Sequence, residues 1–255
     1  VAIAAVAMVG FQFSIGALND LVDVDADARA KPWKPIPVGR VSRGSAALAT
    51  VLGAFVGVAG ATVLGLTTLV VGLVGYLAGV AYDVDLRRRG LDWLAFVVAV
   101  PMLPVFAWLA ATGTLPPGVG VLVPLAALAG PTLHVANALV DVTDPDATRI
   151  GGASAPEPGL GGLVDQLGPG RALRLLVLLT IAIHLVVWLS LVAMGAAPSV
   201  IAMAATSSVC AMVGLAGSSS ISPSAREAGW VFAAVAMALM AAAWLSAAGA
   251  AEGSA

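Results

Sequence analysis

Apolar residues run along this chain in blocks of about twenty, separated by short polar stretches. A helix of that length spans the roughly 30 Å hydrocarbon core of a bilayer. The blocks fall at about 1–18, 45–64, 66–82, 92–112, 118–140, 172–194, 197–217 and 228–249, which predicts eight membrane-spanning helices. Barrel strands would instead read as segments of about ten residues with alternating apolar and polar positions. Short breaks between the second, third and fourth blocks predict hairpins. Pro101 and Pro104 predict a kink in the fourth. The abundance of Ala and Gly suits close helix–helix packing.

Composition agrees. Of 255 residues, 60% are hydrophobic and 10% charged, where a soluble domain carries about 25% charge. The mean hydropathy is +1.02. The expected fold class is therefore all-α, a multi-spanning transmembrane bundle in a single domain over 1–255, with a lipid bilayer as partner and no nucleic acid. Cys210 stands alone in an apolar block, so an intrachain disulfide is excluded. The chain begins at Val1, already inside an apolar block and without a signal-peptide pattern, so an N-terminal piece is expected to be missing.

The charges are unevenly placed. All twelve Lys and Arg fall in four loops, 19–44, 83–91, 141–174 and 218–227. The predicted spans put those loops on one side of the membrane, and the positive-inside rule makes that side cytoplasmic. Trp93, Trp108, Trp188, Trp230 and Trp244 fall near span ends, as expected of an aromatic belt.

The first of those loops opens with Asn19-Asp-Leu-Val-Asp-Val-Asp-Ala-Asp27. Carboxylates cost roughly 2.5–3.5 kcal/mol each at mid-bilayer, so a cluster at a membrane edge suggests a cationic partner. Asn19, Asp23 and Asp27 recur every four residues, with Asp20 three before Asp23, so they share one face if the helix continues past Asn19. Asp25 falls off that stripe and should face water. Oxygen donors of this kind suit Mg²⁺, which is typically held by one or two carboxylates together with substrate phosphates. A solvated acidic loop is the plain alternative.

A second cluster, Asn137, Asp141 and Asp144, with Asp146 and Arg149 beyond, lies at the end of the fifth span. Two acidic helix ends on one membrane face can converge, as two metal ions clamping a diphosphate require. Arg29, Lys31 and Lys34 follow the first cluster, and Arg87, Arg88 and Arg89 follow Tyr82. Each suits a diphosphate contact, although the positive-inside bias accounts for it equally well. Pro35 to Arg40 reads as a rigid extended turn with a bend at Gly39. His134, one turn before the second cluster, suits either a proton acceptor or a helix–helix hydrogen bond, and His184 suits a structural role.

These residues resemble the UbiA superfamily of intramembrane prenyltransferases. The run NDLVDVDAD matches that family's NDxxDxxxD signature, and KPWKPIPVGRVS is similar to its R-P-I-P-x-G-x-(I/V)-S continuation. NALVDVTDPDATRIGG resembles its second motif, about 120 residues further on. The resemblance implies about nine helices around a central cavity, with a cytoplasmic cap over two Mg²⁺ ions that bridge an isoprenyl diphosphate. Our first span is then the family's second. Asn19, Asp20, Asp23, Asp27, Asp141, Asp144 and Asp146 become metal ligands, with Asp23 and Asp141 catalytic. Arg29, Lys31, Lys34, Tyr82, Arg87, Arg88, Arg89, Asn137 and Arg149 become substrate-binding residues. The chain departs from the pattern in three places: Asp146 follows Asp144 closely, Pro145 intervenes, and Asp83 and Asp85 precede three arginines where the family often shows a Pro-rich stretch ending in a Lys.

The implied reaction is Mg²⁺-dependent transfer of an isoprenyl group to a small, membrane-accessible acceptor, aromatic as in quinone biosynthesis. The faces of Phe11, Phe13, Tyr82 and Phe106 are candidates for steadying an allylic cation, each worth about 0.5–2 kcal/mol. An intramembrane terpene cyclase on the same clamp and a cation-coupled transporter are the competing readings. Oligomeric state is not legible.

Overall fold

The computed structural model describes residues 1–140 and 162–253. No strand occurs among them, and eight of their helices are long and apolar enough to cross a membrane. In chain order the helices are α1 (Ala2–Val22), α2 (Val24–Ala30), α3 (Arg43–Val63), α4 (Leu66–Ala81), α5 (Asp92–Thr112), α6 (Val119–Ala138), α7 (Leu163–Leu167), α8 (Pro169–Ala193), α9 (Pro198–Ser218) and α10 (Pro223–Gly253). A π-helical turn, Tyr82–Leu86, extends α4. Every expected span is present, displaced at its ends by a few residues. Hydropathy marks the part of a helix in lipid, whereas hydrogen bonding carries α1 and α4 past it into polar sequence. The opposite holds for α6, which stops at Ala138 rather than 140. Both prolines expected to kink α5 lie inside a helix that continues through them.

The chain divides into two compact units, Val1–Arg87 with Met102–Leu115, and Arg88–Pro101 with Pro116–Ala255. In the first, small residues let α1 and α3 touch backbone to backbone. A Cβ on Gly10 would lie 2.7 Å from the Gly57 nitrogen, one on Gly53 2.8 Å from the Gly10 oxygen, and one on Gly60 2.8 Å from the Ala7 Cβ. This is small-residue packing of the kind membrane helices use in place of a hydrophobic driving force. Phe11 fills the space beside Gly57 and Gly72 and joins Ala7, Ala61 and Phe106 in the core. Ser14, fully buried, bonds the Thr50 carbonyl at 2.7 Å and the Tyr76 hydroxyl at 3.0 Å, so its polar atom is satisfied inside the bundle.

The second unit repeats the device. Gly217 and Gly229 bring α9 and α10 together, where a Cβ on Gly217 would stand 2.6 Å from the Gly229 Cα. Val135, Ala136, Leu139, Val164, Ala172, Leu176 and Ala233 form its core. Ser207 donates to the Ala236 carbonyl at 2.7 Å and meets His184 Nε2 at 3.3 Å. His184 is thus built into helix packing, as expected. Trp244 departs from the belt expectation: it is buried, with its ring packed over Gly118. The space left by a missing side chain decided its place. Around both units large apolar side chains point outward, Phe55 and Leu178 among them, as lipid-facing surfaces require.

Candidate functional site

The acidic run begins on the last turn of α1. Asp23 interrupts the helix, with φ −92° and ψ 3°, yet the four-residue bonding step survives the break. Asp23 N–H bonds the Asn19 carbonyl at 2.9 Å, Asp27 N–H the Asp23 carbonyl at 2.7 Å, and Lys31 N–H the Asp27 carbonyl at 2.8 Å. Asn19, Asp23 and Asp27 therefore keep one face across the α1–α2 junction. Asp25 is turned away, with its side chain 83% exposed, and pairs at the surface with Arg43 at 2.9 Å.

The segment after α2 is a compact reversal, not the extended turn expected. Val38 N–H bonds the Lys34 carbonyl at 3.1 Å and Arg40 N–H the Pro35 carbonyl at 2.9 Å. Gly39 makes this possible with φ +75°, a conformation that costs glycine little. The coil sets Lys34 over the acidic face, with Nζ 2.9 Å from Asp20 Oδ1 and 2.7 Å from Asp27 Oδ2. Burial works against the Lys34 ammonium, but hydrogen bonds to Asp27 and Asp20 and their charges outweigh it and hold its pKa above the ordinary lysine value.

The third contribution comes from the π turn. Arg87 N–H reaches back five residues to the Tyr82 carbonyl at 3.2 Å, and this wide turn sets Asp83 and Arg87 against α1. Asn19 Nδ2 donates to Asp83 Oδ1 at 3.0 Å and to Asp23 Oδ2 at 3.3 Å. Arg87 closes the group as the ion-pair partner of Asp23. Burial opposes the Arg87 charge too, but Asp23 more than compensates and raises its pKa. Of the three arginines that sequence left equivalent, Arg87 is joined to the acidic face by this ion pair. Tyr82 is half-buried at the start of the turn, Arg29 is exposed on α2, and Lys31 is half-buried at its end.

Asp83 is the member that sequence reasoning missed. It is 4% exposed, and its Oδ2 has no hydrogen-bond partner. Its signal was present: an acid directly after the apolar run of α4, four residues before Arg87, just as Asn19 follows the run of α1.

Of the second cluster, Asn137 lies exposed on the last turn of α6, while Asp141, Asp144, Asp146 and Arg149 fall outside the described residues. His134 is a link between helices rather than an open base. Its Nε2 stands 2.7 Å from Asp92 Oδ2, and Asp92 also accepts from the Leu163 N–H at 3.0 Å. Phe96 stacks on the imidazole at 4.6 Å. Among the aromatic candidates, Phe11 and Phe106 are core residues, 3% and 2% exposed, packed beside Gly72. Phe13 points outward, 60% exposed.

The donors gathered at the first cluster are three carboxylates, one amide and the buried Asp83, all oxygen ligands of the hard type that Mg²⁺ takes. Among the described residues no three His, Cys, Asp or Glu side chains form a preassembled ion cage. The carboxylates are instead drawn onto Lys34 and Arg87. The donor chemistry fits a divalent cation, and Asp83 Oδ2 beside these donors is buried without a hydrogen-bond partner.

Spans ending in ion-paired acids, on helices with apolar outer faces, define an integral multi-pass membrane protein with a polar site at its helix ends. Residues 1–228 match the UbiA prenyltransferase family, and the chain belongs to it. It is 30% identical over 89 residues to digeranylgeranylglyceryl phosphate synthase of Saccharolobus solfataricus, a match covering 35% of this chain and 32% of that protein. The chain thus aligns with about a third of that relative's length. The apo structure of a UbiA homologue from Aeropyrum pernix K1 has a similar fold, with TM-score 0.71 and 19% identity over 93% of this chain and 87% of that one. A UbiA homologue from Archaeoglobus fulgidus bound to Cd²⁺ gives TM-score 0.61 and 18% identity over 93% and 86%.

Proposed function

We propose that this protein transfers an isoprenyl group from an isoprenyl diphosphate to a membrane-accessible acceptor and releases diphosphate, using Mg²⁺ at its acidic motifs. The observation that carries this reading is the face of Asn19, Asp20, Asp23 and Asp27, counter-charged by Lys34 and Arg87, in a chain of this family. Bound Mg²⁺ would supply positive charge that stabilises the departing diphosphate. Asn19, Asp20, Asp23 and Asp27 would hold it, and Asp141, Asp144 and Asp146 enter the proposal from sequence alone, with Asp23 and Asp141 as the central ligands. Lys34 and Arg87 now provide the counter-charge at these oxygens; with metal held there, both side chains would be available to diphosphate oxygens, alongside Arg29, Lys31, Arg88, Arg89, Arg149, Tyr82 and Asn137. Apolar helices around the reacting carbon exclude water, which would otherwise quench an allylic cation. The site is proposed to face the cytoplasm, because every Lys and Arg lies in loops that alternate onto one side.

The acceptor is proposed to be aromatic, or, on the strength of the name borne by the Saccharolobus relative, a prenylated glyceryl phosphate. A terpene cyclase would use the same clamp without an acceptor. A cation-coupled transporter fits less well, since coupling sites lie near the bilayer midplane and these acids gather at helix ends. Membranes containing the protein should be supplied with labelled geranylgeranyl diphosphate, Mg²⁺ and a panel of aromatic and glyceryl phosphate acceptors, and the product weighed by mass spectrometry. An EDTA-sensitive, acceptor-dependent adduct supports transfer. Cyclic product without acceptor supports the cyclase, and no diphosphate release under any condition removes both enzymatic readings.

A further inference from the structure

Asp83 is a carboxylate at the end of a membrane span with one oxygen bonded and the other buried without a partner. Such a group is costly. Its one bond is to Asn19, a residue whose amide must present a definite end to whatever it binds. Both neighbours of the Asn19 side chain, Asp83 Oδ1 at 3.0 Å and Asp23 Oδ2 at 3.3 Å, are acceptors. The amide nitrogen must therefore face them, and the amide oxygen is turned the other way. Asp83 provides the shorter of the two bonds, and it comes from a different helix, fixed by the π turn that also delivers Arg87. Turns of this kind recur at functional sites.

We propose that Asp83 is a positioning residue for the cation site: it locks the rotamer and flip of Asn19 so that the Asn19 carbonyl oxygen is presented as a neutral ligand. This rests on the metal-dependent reading above. Outer-shell partners of metal ligands typically contribute about 10–100-fold in affinity, and an amide left with only the longer bond to Asp23 would present either end.

The test is Mn²⁺ binding by the full chain in detergent, followed by electron paramagnetic resonance without diphosphate. Asp83→Ala and the near-isosteric Asp83→Leu both remove the acceptor and should weaken binding by about 10-fold. Asp83→Asn keeps an oxygen for the Asn19 amide and should stay within about 3-fold of wild type. On an Asn19→Ala background, the Asp83 substitutions should add nothing further. Monodisperse elution and an unchanged melting midpoint identify folded variants, and Asp83→Leu serves if Asp83→Ala misfolds. Wild-type affinity in a folded Asp83→Ala or Asp83→Leu, an equal loss in Asp83→Asn, or an additive loss with Asn19→Ala overturns the proposal alone. Absence of Mn²⁺ binding by the wild type overturns the metal reading and the proposal with it.

Discussion

Lys34 shows how much a single side chain does here. It holds Asp20 and Asp27 together, and Asp27 is only 7% exposed. Lys34→Ala leaves that carboxylate without its cation and should destabilise the protein by roughly 1–2 kcal/mol, allowing for partial solvent screening. The pH dependence has a definite sign. Because the folded pKa of Lys34 lies above its ordinary 10.5, its contribution is complete below that value and lost as pH rises through the higher folded pKa. The difference in apparent melting midpoint between wild type and Lys34→Ala should therefore be constant from pH 7 to 9 and narrow in strong alkali. A difference that widened with pH would contradict the ion-pair account.

At the scale of elements, the spans were legible and their joints were not. Blocks of about twenty apolar residues admit few alternatives in lipid, where backbone groups must be satisfied within the helix. The π turn at Tyr82–Leu86 leaves no trace in hydropathy, so nothing in the sequence marks Arg87 as the ion-pair partner of Asp23. The burial of Phe11 and Phe106 beside Gly72 was not legible, because an aromatic in a span carries no mark of which neighbour is a glycine. That glycine logic can be tested. A Cβ on Gly53 would stand 2.8 Å from the Gly10 oxygen and 2.9 Å from the Ser14 nitrogen, whereas one on Gly16 would meet nothing within 4 Å. Gly53→Ala should cost about 1–3 kcal/mol by forcing α1 and α3 apart. Gly16→Ala should be neutral or stabilising by up to about 1 kcal/mol. Thermal unfolding of the two variants side by side decides, and equal effects would contradict the close approach of α1 to α3.

For the whole molecule, the proposed topology places the Lys- and Arg-bearing loops on the cytoplasmic side. In a Cys210→Ala background, Arg40→Cys should react with membrane-impermeant thiol reagent only from the cytoplasmic side. Thr114→Cys should react only from the other, and labelling of both from one side would refute the proposed orientation. The acidic residues were recognisable as two groups in sequence because each forms a close run at the end of an apolar block; which members of the first group share a basic residue needed coordinates. The most direct measurement of the central claim is Mg²⁺-dependent diphosphate release from geranylgeranyl diphosphate by membranes carrying Asp23→Asn, Asp141→Asn or both. Each single change should lower the rate by about 10²-fold or more, and the double should be little worse than either, as for groups that act as a unit. Wild-type release by either single variant would contradict it.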